Sequence, residues 1–194
     1  MEPSPDDWFT RHSPARTAHR TVALVNVLTT AAPRPDAVAA ALREYGEEDP
    51  LDLDAADVAG MRDAALGLRE VFAAGSVDEA AGRLNHLLAS GCGPVRLTSH
   101  GGHTPWHLHL DRHDEAPWAE WFLASSCMTL AVLLWDRQLP PGGVCASSTC
   151  ENVYVTSTAG TPRRYCSARC ATRERVAAHR RAARNPDAGA PGAS

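Results

Sequence analysis

Lysine is missing from this chain of 194 residues, so all 19 basic residues are arginine. Several catalytic signatures are missing as well. The sequence has no glycine-rich phosphate loop, no G-x-S-x-G elbow and no H-E-x-x-H helix, and its isolated serines and aspartates do not indicate a catalytic triad. We therefore expect that the protein is not an enzyme.

Long apolar runs and a secretory signal are also lacking. No apolar run approaches the roughly 18 residues that a membrane-spanning helix needs. Residues 1–7 are acidic and contain no apolar stretch of the kind found in signal peptides. These absences predict a soluble cytoplasmic protein with no membrane partner, a location in which disulfides are not expected.

Charge is divided unevenly along the chain. Residues 1–142 contain 11 arginines against 20 acidic residues, a net charge of −9, whereas residues 143–194 contain 8 arginines against 3 acidic residues, a net charge of +5. Nucleic acid would repel the first part and attract the second. The length allows one domain of about 140 residues followed by a small module.

Four of the six cysteines form two close pairs in the basic part. The spacing is C-x4-C-x15-C-x3-C, and the four residues are Cys145, Cys150, Cys166 and Cys170. Each pair can supply two thiolates from one turn, as tetrahedral zinc requires. We predict one structural Zn²⁺ at these cysteines, with two disulfides or four unconnected thiols as the alternatives. Four thiolates leave no coordination position for water, so such a site is not catalytic.

The residues between the two pairs predict a zinc-ribbon hairpin. Residues 152–158 have strand composition, residues 159–162 favour a turn, and residues 163–165 return toward the third cysteine. Ser167 can cap the helix that follows. Because so short a segment has little core, zinc binding would supply much of its folding free energy. Without metal, the segment is expected to be disordered while the rest of the chain stays folded.

The segment from residue 145 to about residue 181 resembles the C-terminal zinc finger of the bacterial CGNR family. The resemblance rests on the four cysteines, on the run Ser167, Cys170 and Arg173, and on the basic helix that follows. The family's signature tetrapeptide reads CATR at positions 170–173, so its Gly and Asn are replaced. Members of this family carry a helical N-terminal ABATE domain and are regarded as stress-induced transcription regulators. The resemblance implies the same architecture and role here.

Arginines in and after the hairpin are the predicted contacts to nucleic acid. At 100° per residue, four arginines of the helix fall within an arc of about 60°, a stripe suited to following phosphates. Arginine binds phosphate bidentately and can also recognise guanine. The stripe consists of Arg169, Arg173, Arg180 and Arg184, and the complete predicted set adds Arg163, Arg164, Arg175 and Arg181.

Hydrophobic periodicity predicts a mainly helical N-terminal domain with a small β-hairpin. The cysteine spacing and the resemblance to the CGNR family add a treble-clef or ribbon-like zinc finger after it. Ser76 and Glu79 fit a capping box at the start of one helix. The predicted helices cover about residues 15–31, 36–45, 54–74, 76–90 and 118–137. The predicted division is a loose lead-in (1–14), an ABATE-like domain (15–138), a linker (139–143), the zinc finger (144–184) and a disordered tail (185–194).

The predicted β-hairpin of the N-terminal domain is rich in histidine. Residues 95–99 and 106–110 alternate like two strands joined by a turn at residues 100–103. His107 and His109 would share one face of a strand, a geometry that can ligate metal. The apolar residues Trp106, Leu108 and Leu110 alternate with them and are expected to be buried, which would leave the histidines in solvent. A ligand or sensing pocket and a catalytic site are the alternatives.

One polar residue interrupts the first, almost wholly apolar helix. Asn26 must find hydrogen-bond partners or face a pocket, because an unpaired buried amide costs about 1–3 kcal/mol. A satisfied core asparagine is the simpler interpretation. With His107 and His109, Asn26 is also a candidate for lining a ligand pocket.

These features together predict a zinc-dependent DNA-binding protein and bacterial transcription regulator, associated with the nucleoid. Its N-terminal domain would sense a small-molecule effector or form a homodimer. The alternative is a zinc-ribbon adaptor that binds protein, or an RNA-binding protein. A further alternative is a metal-sensing or enzymatic histidine site in the N-terminal domain.

Overall fold

Six α-helices and two short antiparallel hairpins make up the described part of the chain, which comprises residues 12–156 and 163–184 of a computed structural model. The predicted mainly helical fold class is confirmed. The predicted hairpin turn at 159–162 and the predicted tail at 185–194 lie outside the described residues. The elements are α1 (Pro14–Leu28), α2 (Pro35–Glu44), α3 (Ala55–Phe72), α4 (Val77–Gly91), β1 (Arg96–Thr98), β2 (His107–His109), α5 (Trp118–Arg137), β3 (Gly142–Val144), β4 (Val153–Val155) and α6 (Ala168–Arg184).

The helix starts follow from local capping signals. At α3, the Asp54 side chain accepts a hydrogen bond from the Asp57 amide, and the Asp57 carboxylate accepts one from the Asp54 amide. At α4, the Ser76 hydroxyl accepts from the Glu79 amide as predicted, but the Glu79 carboxylate binds the amide of Gly75 and does not close the box. An N-cap side chain of this kind stabilises a helix by roughly 0.5–2 kcal/mol.

One apolar core lies between α1, α3, α4 and α5. Helix α5 contacts each of the other three. The apolar residues of α3 that recur every three or four positions are buried, as the periodicity predicts. The largest fully buried side chains include Leu24, Met61, Leu68, Phe72, Phe122 and Leu130. Each side chain of this size contributes about 1.5–3 kcal/mol when it is removed from water.

The composition of α5 contradicts the prediction that the sequence holds no apolar run long enough to span a membrane. By length and composition alone, this helix is long and apolar enough to cross a membrane. Central core helices of proteins that do not span a membrane share this length and composition. Here α5 packs against three other helices of the core.

The hairpin formed by β3 and β4 completes this core. Val153 on β4 is 1% exposed and lies in the main apolar cluster. Val155 packs with Ala18 of α1 and Leu133 of α5. Residues 142–144 form strand β3, although the sequence predicts a linker over residues 139–143. The zinc-finger segment and the helical domain, predicted as separate modules, therefore share one hydrophobic core.

The strand that pairs with β4 differs from the prediction. β4 pairs antiparallel with β3, which precedes the first cysteine pair, and Gly143 lies opposite Tyr154. Residues 163–165, predicted as the returning strand, are not in a strand. Glycine is required at position 142, because a Cβ atom there would lie 2.0 Å from the Tyr154 carbonyl oxygen and 2.5 Å from Cδ1 of Phe72.

Candidate metal centre

Four cysteine sulfurs converge between the β3–β4 hairpin and the start of α6. The Sγ atoms of Cys145, Cys150, Cys166 and Cys170 all lie within 4.8 Å of one another. Cys166 Sγ lies 3.6 Å from Cys150 Sγ and 3.7 Å from Cys170 Sγ. All four are free thiols. Tetrahedral zinc with Zn–S distances of about 2.3 Å holds its sulfurs about 3.8 Å apart, so the arrangement fits zinc.

The first cysteine pair lies on a tight turn directly after β3. The Cys145 amide donates to the Asn152 carbonyl at 2.8 Å, and the Cys150 amide donates to the Ser147 carbonyl at 3.0 Å. The Ser147 hydroxyl, in turn, donates to the Glu174 carboxylate of α6 at 2.9 Å. This bond lowers the pKa of Glu174. The turn that carries two sulfurs is thus fixed both to the hairpin and to the helix.

The second pair lies at the start of α6. The Ser167 hydroxyl accepts a hydrogen bond from the Cys170 amide at 3.3 Å, as expected of a helix cap. A hydrogen bond from Ser167 lowers the pKa of the Cys170 thiol to about 7, whereas burial raises the pKa of Cys166 to about 12. A metal ion needs all four groups as thiolates, and its charge favours that form.

Arg163, one of the predicted nucleic-acid contacts, is engaged inside the finger. Its Nε atom donates to the Tyr165 carbonyl at 2.8 Å, and its Nη2 atom donates to the Cys166 carbonyl. The guanidinium also lies 5.2 Å from the centre of the Tyr154 ring. Arg163 therefore holds the chain that leads into the third cysteine.

Arg173 is also engaged in the finger. Its guanidinium donates to the Thr149 hydroxyl on the cysteine turn, and Nη2 lies 3.8 Å from Cys170 Sγ. Beyond it, Arg175 donates to the Thr172 hydroxyl at 3.2 Å. The arginines whose exposed side chains have no hydrogen-bond partner among the described residues are Arg164, Arg169, Arg180, Arg181 and Arg184.

The arginines of the finger differ from those of the helical domain in their ion pairs. Within the described residues, no carboxylate forms an ion pair with any of the eight arginines at positions 163–184. Six arginines of the helical domain do form ion pairs. They are Arg20 with Glu47, Arg34 with Asp36, Arg43 with Asp49, Arg83 with Glu70 and Glu79, Arg96 with Asp111 and Asp114, and Arg112 with Glu120.

Of the three residues predicted to line a ligand pocket, the structure brings two together. His107 Nε2 lies 2.9 Å from His109 Nε2, beside a cavity of about 530 Å³. Asn26 lies elsewhere, with both side-chain amide atoms bonded to the backbone of Val153. His100 joins the two histidines, because the turn after β1 folds its ring back onto theirs. The turn composition of residues 100–103 does not predict this contact.

The histidine hairpin faces the opposite way from the prediction. Trp106 and Leu108, expected to be buried, are 69% and 49% exposed. The histidine face lies toward α5, and Asp111 on that side is only 3% exposed. Arg96 forms an ion pair with this carboxylate, so the polar face satisfies its own buried groups. The expectation of solvated histidines is therefore wrong, since the rings of His107 and His109 are both partly buried.

Comparison with known proteins identifies the segment that contains the cysteine cluster. The family model of the CGNR zinc finger matches residues 143–183, from β3 through nearly all of α6. The predicted resemblance is confirmed for this segment, and residues 1–142 lie outside the match. No curated protein matches the chain.

Proposed function

We propose that α6 and the chain leading into it bind duplex DNA, and that a structural zinc ion in the four-cysteine cluster fixes their orientation. The contrast in ion pairing carries this proposal. Six arginines of the helical domain form ion pairs with carboxylates, whereas none of those at positions 163–184 does so within the part of the chain that the structure describes. An exposed stripe of unneutralised guanidinium groups is the electrostatic pattern that phosphate backbones attract.

Zinc at this site would have a structural role. The four thiols present fit it, and zinc bound by four thiolates supplies folding free energy without catalysis. Other residues of this chain would orient α6 relative to the cluster. Glu174 fixes the cysteine turn to α6, and Arg163 fixes the approach to the helix. The direction of α6 is thus set by contacts close to the cluster.

The exposed arginines would then bind phosphates along one side of α6. Arg169, Arg180 and Arg184 fall on one side of the helix at 100° per residue. Arg164 lies just before the helix, with its guanidinium 5.8 Å from the Tyr165 ring. Arginine recognises phosphate through two parallel N–H donors, so these side chains suit backbone contacts. The acidic helical domain would keep the remaining surface away from the duplex.

In the cell, we propose that the protein is a cytoplasmic regulator of transcription. DNA contact through the finger would be coupled to the helical domain, because β4 is part of its core. Any effector or second copy that binds the helical domain could thereby influence the position of the finger. A homodimer would double the set of phosphate contacts that one finger provides.

Fluorescence anisotropy with labelled duplex DNA tests this proposal. The full chain is loaded with zinc and compared with chelator-treated protein and with binding to single-stranded RNA. We expect binding to duplex DNA at low salt that is lost on zinc removal and restored by added zinc. Absence of DNA binding at low salt would contradict the proposal and favour a protein-binding adaptor, whereas stronger binding to RNA would identify RNA as the target.

A further inference from the structure

Three imidazole rings converge on one point at the inner face of the β1–β2 hairpin. His107 Nε2 lies 2.9 Å from His109 Nε2 and 3.3 Å from His100 Nε2. One nitrogen from each ring lies within 4.8 Å of the other two. The rings come from β2 and from the turn after β1, so the hairpin itself places all three.

The opposite nitrogen of each ring has an oxygen partner. His107 Nδ1 lies 2.8 Å from the Pro105 carbonyl oxygen, which can only accept a hydrogen bond. His109 Nδ1 lies 2.8 Å from a carboxylate oxygen of Asp111, a residue that is almost fully buried. Arg96 Nη2 also lies 3.4 Å from His109 Nδ1, farther away than the carboxylate oxygen. The closer oxygen partners favour the tautomer of each neutral ring that carries its proton on Nδ1. Partners of this kind orient histidines that bind metal.

This arrangement brings two acceptor nitrogens of neighbouring rings close together. With the protons of His107 and His109 on Nδ1, both Nε2 atoms are hydrogen-bond acceptors, yet they lie only 2.9 Å apart. The third ring repeats the pattern more loosely, since His100 Nδ1 lies 3.4 Å from an Asp114 carboxylate oxygen. Two lone pairs at this separation repel each other unless a positive centre lies between or beside them.

We propose that His100, His107 and His109 bind a second metal ion, a divalent first-row transition ion such as Zn²⁺. Neutral imidazole suits these ions, and three histidines are an established ligand set for zinc. The two metal sites would differ in kind. The cysteine cluster offers four ligands to zinc, whereas three histidines leave a coordination position for water or a small ligand.

The surroundings of the three histidines suit such a ligand. The cavity of about 530 Å³ beside them is also lined by Arg20, Trp121, Ser125 and Thr129. Arg20 is buried over the Trp121 ring, and its guanidinium donates to Ser125 at 3.1 Å. This combination of an apolar wall and a few fixed polar groups is typical of small-molecule sites. A small anionic or water ligand on the metal would therefore have room beside the helical core.

Metal stoichiometry of the full chain tests the proposal. The protein is dialysed against Zn²⁺ held at a low free concentration by a chelator buffer, and bound zinc is counted by elemental analysis. We expect two zinc ions for the unaltered protein and for His103→Ala, an exposed histidine of the same turn. His107→Ala/His109→Ala and Cys166→Ser should each retain one ion, because each variant removes one site and leaves the other.

Cobalt spectra assign each ion to its site. Co²⁺ bound by cysteine shows a thiolate-to-metal charge-transfer band, which imidazole ligands do not give. The histidine variant should keep this band while losing one equivalent of metal, and Cys166→Ser should lose the band. Binding of only one zinc by the unaltered protein, or two by the histidine variant, would overturn the proposal. If the protein binds a single ion and shows the thiolate band, the histidine site is refuted but the proposed function of the finger is not. Failure of the histidine site can thus be distinguished from failure of the proposed function.

A single substitution tests the histidine site independently, in case the double variant does not fold. Asp111→Asn keeps all three imidazoles but weakens the partner of His109. Loss of such a partner lowers metal affinity by roughly 10–100-fold. We expect a loss of that size at the histidine site, with unchanged cobalt binding at the cysteines and a thermal transition that confirms a folded domain. Unchanged affinity at the second site would contradict the assignment of these ligands.

Discussion

Asn26 and Val153 join the helical domain to the finger through two hydrogen bonds. Nδ2 of Asn26 donates to the Val153 carbonyl at 3.2 Å, and the Val153 amide donates to Oδ1 of Asn26 at 2.8 Å. The side-chain amide therefore pairs with β4 as a neighbouring strand would. The polar residue that interrupts the first apolar helix serves this contact.

Replacing this asparagine should destabilise the whole chain. Asn26→Ala leaves the amide and carbonyl of Val153 without these partners, at a residue that is only 1% exposed. We expect the free energy of unfolding to fall by about 1–3 kcal/mol, the usual cost of an unsatisfied buried polar group. Urea denaturation followed by circular dichroism measures the change.

Asn85→Ala is the matched control for this substitution. Asn85 lies exposed on α4, so the same change there should alter the free energy of unfolding by no more than about 0.5 kcal/mol. If Asn26→Ala proved as neutral as Asn85→Ala, the pairing of Asn26 with β4 would not contribute to stability.

Metal removal should affect the helical domain as well as the finger. β4 lies in the main core, and the Cys145 amide extends its ladder by bonding to Asn152. Chelation should therefore lower the melting temperature of the helical domain, not only unfold the finger, and it should do so equally in His107→Ala/His109→Ala, which lacks the second proposed metal site. No tryptophan lies in the finger, and four of the five lie at positions 106–135 of the helical domain, so their fluorescence follows the unfolding of that domain. An identical melting temperature with and without metal would show two independent modules, and restored zinc serves as the control.

Two glycine-to-alanine substitutions should have opposite effects. At position 142 a Cβ atom would meet the Tyr154 carbonyl and the Phe72 ring, so Gly142→Ala should cost about 1–3 kcal/mol. Gly82 lies on the exposed side of α4 with nothing within 4 Å of an added Cβ, so Gly82→Ala should stabilise by roughly 0.5–1 kcal/mol. Urea denaturation of both variants checks the signs. Equal effects of the two substitutions would contradict the close approach of β3 to the core.

The sequence allowed the helices and the cysteine cluster to be predicted because their signals are local. Capping residues such as Asp54 and Ser76 mark helix starts, and the spacing of the cysteine pairs predicts that the sulfurs meet. Strand β3 could not be predicted in this way. Its glycines have the composition of a linker, and only the positions of Phe72 and Tyr154 make glycine necessary there.

The orientation of the histidine hairpin could not be predicted from the local sequence pattern either. Alternation in β2 shows that His107 and Leu108 lie on opposite faces, but it does not show which face meets α5. The structure shows that the histidine face meets α5, where Asp111 is almost fully buried and pairs with Arg96. The convergence of His100 with the other rings depends on the geometry of the turn, which composition does not define.

Salt dependence of DNA binding tests the central claim most directly. Anisotropy is measured over a salt series for the zinc-loaded protein, for Arg180→Ala/Arg184→Ala, and for Arg34→Ala/Arg43→Ala, which removes two exposed arginines from the helical domain. Contact with about six phosphates predicts a log–log slope near −5, and loss of two contacts should make it shallower by about 2. The account predicts this change for the α6 variant and an unchanged slope for the other. Equal slopes for all three proteins, or no binding at low salt, would contradict it.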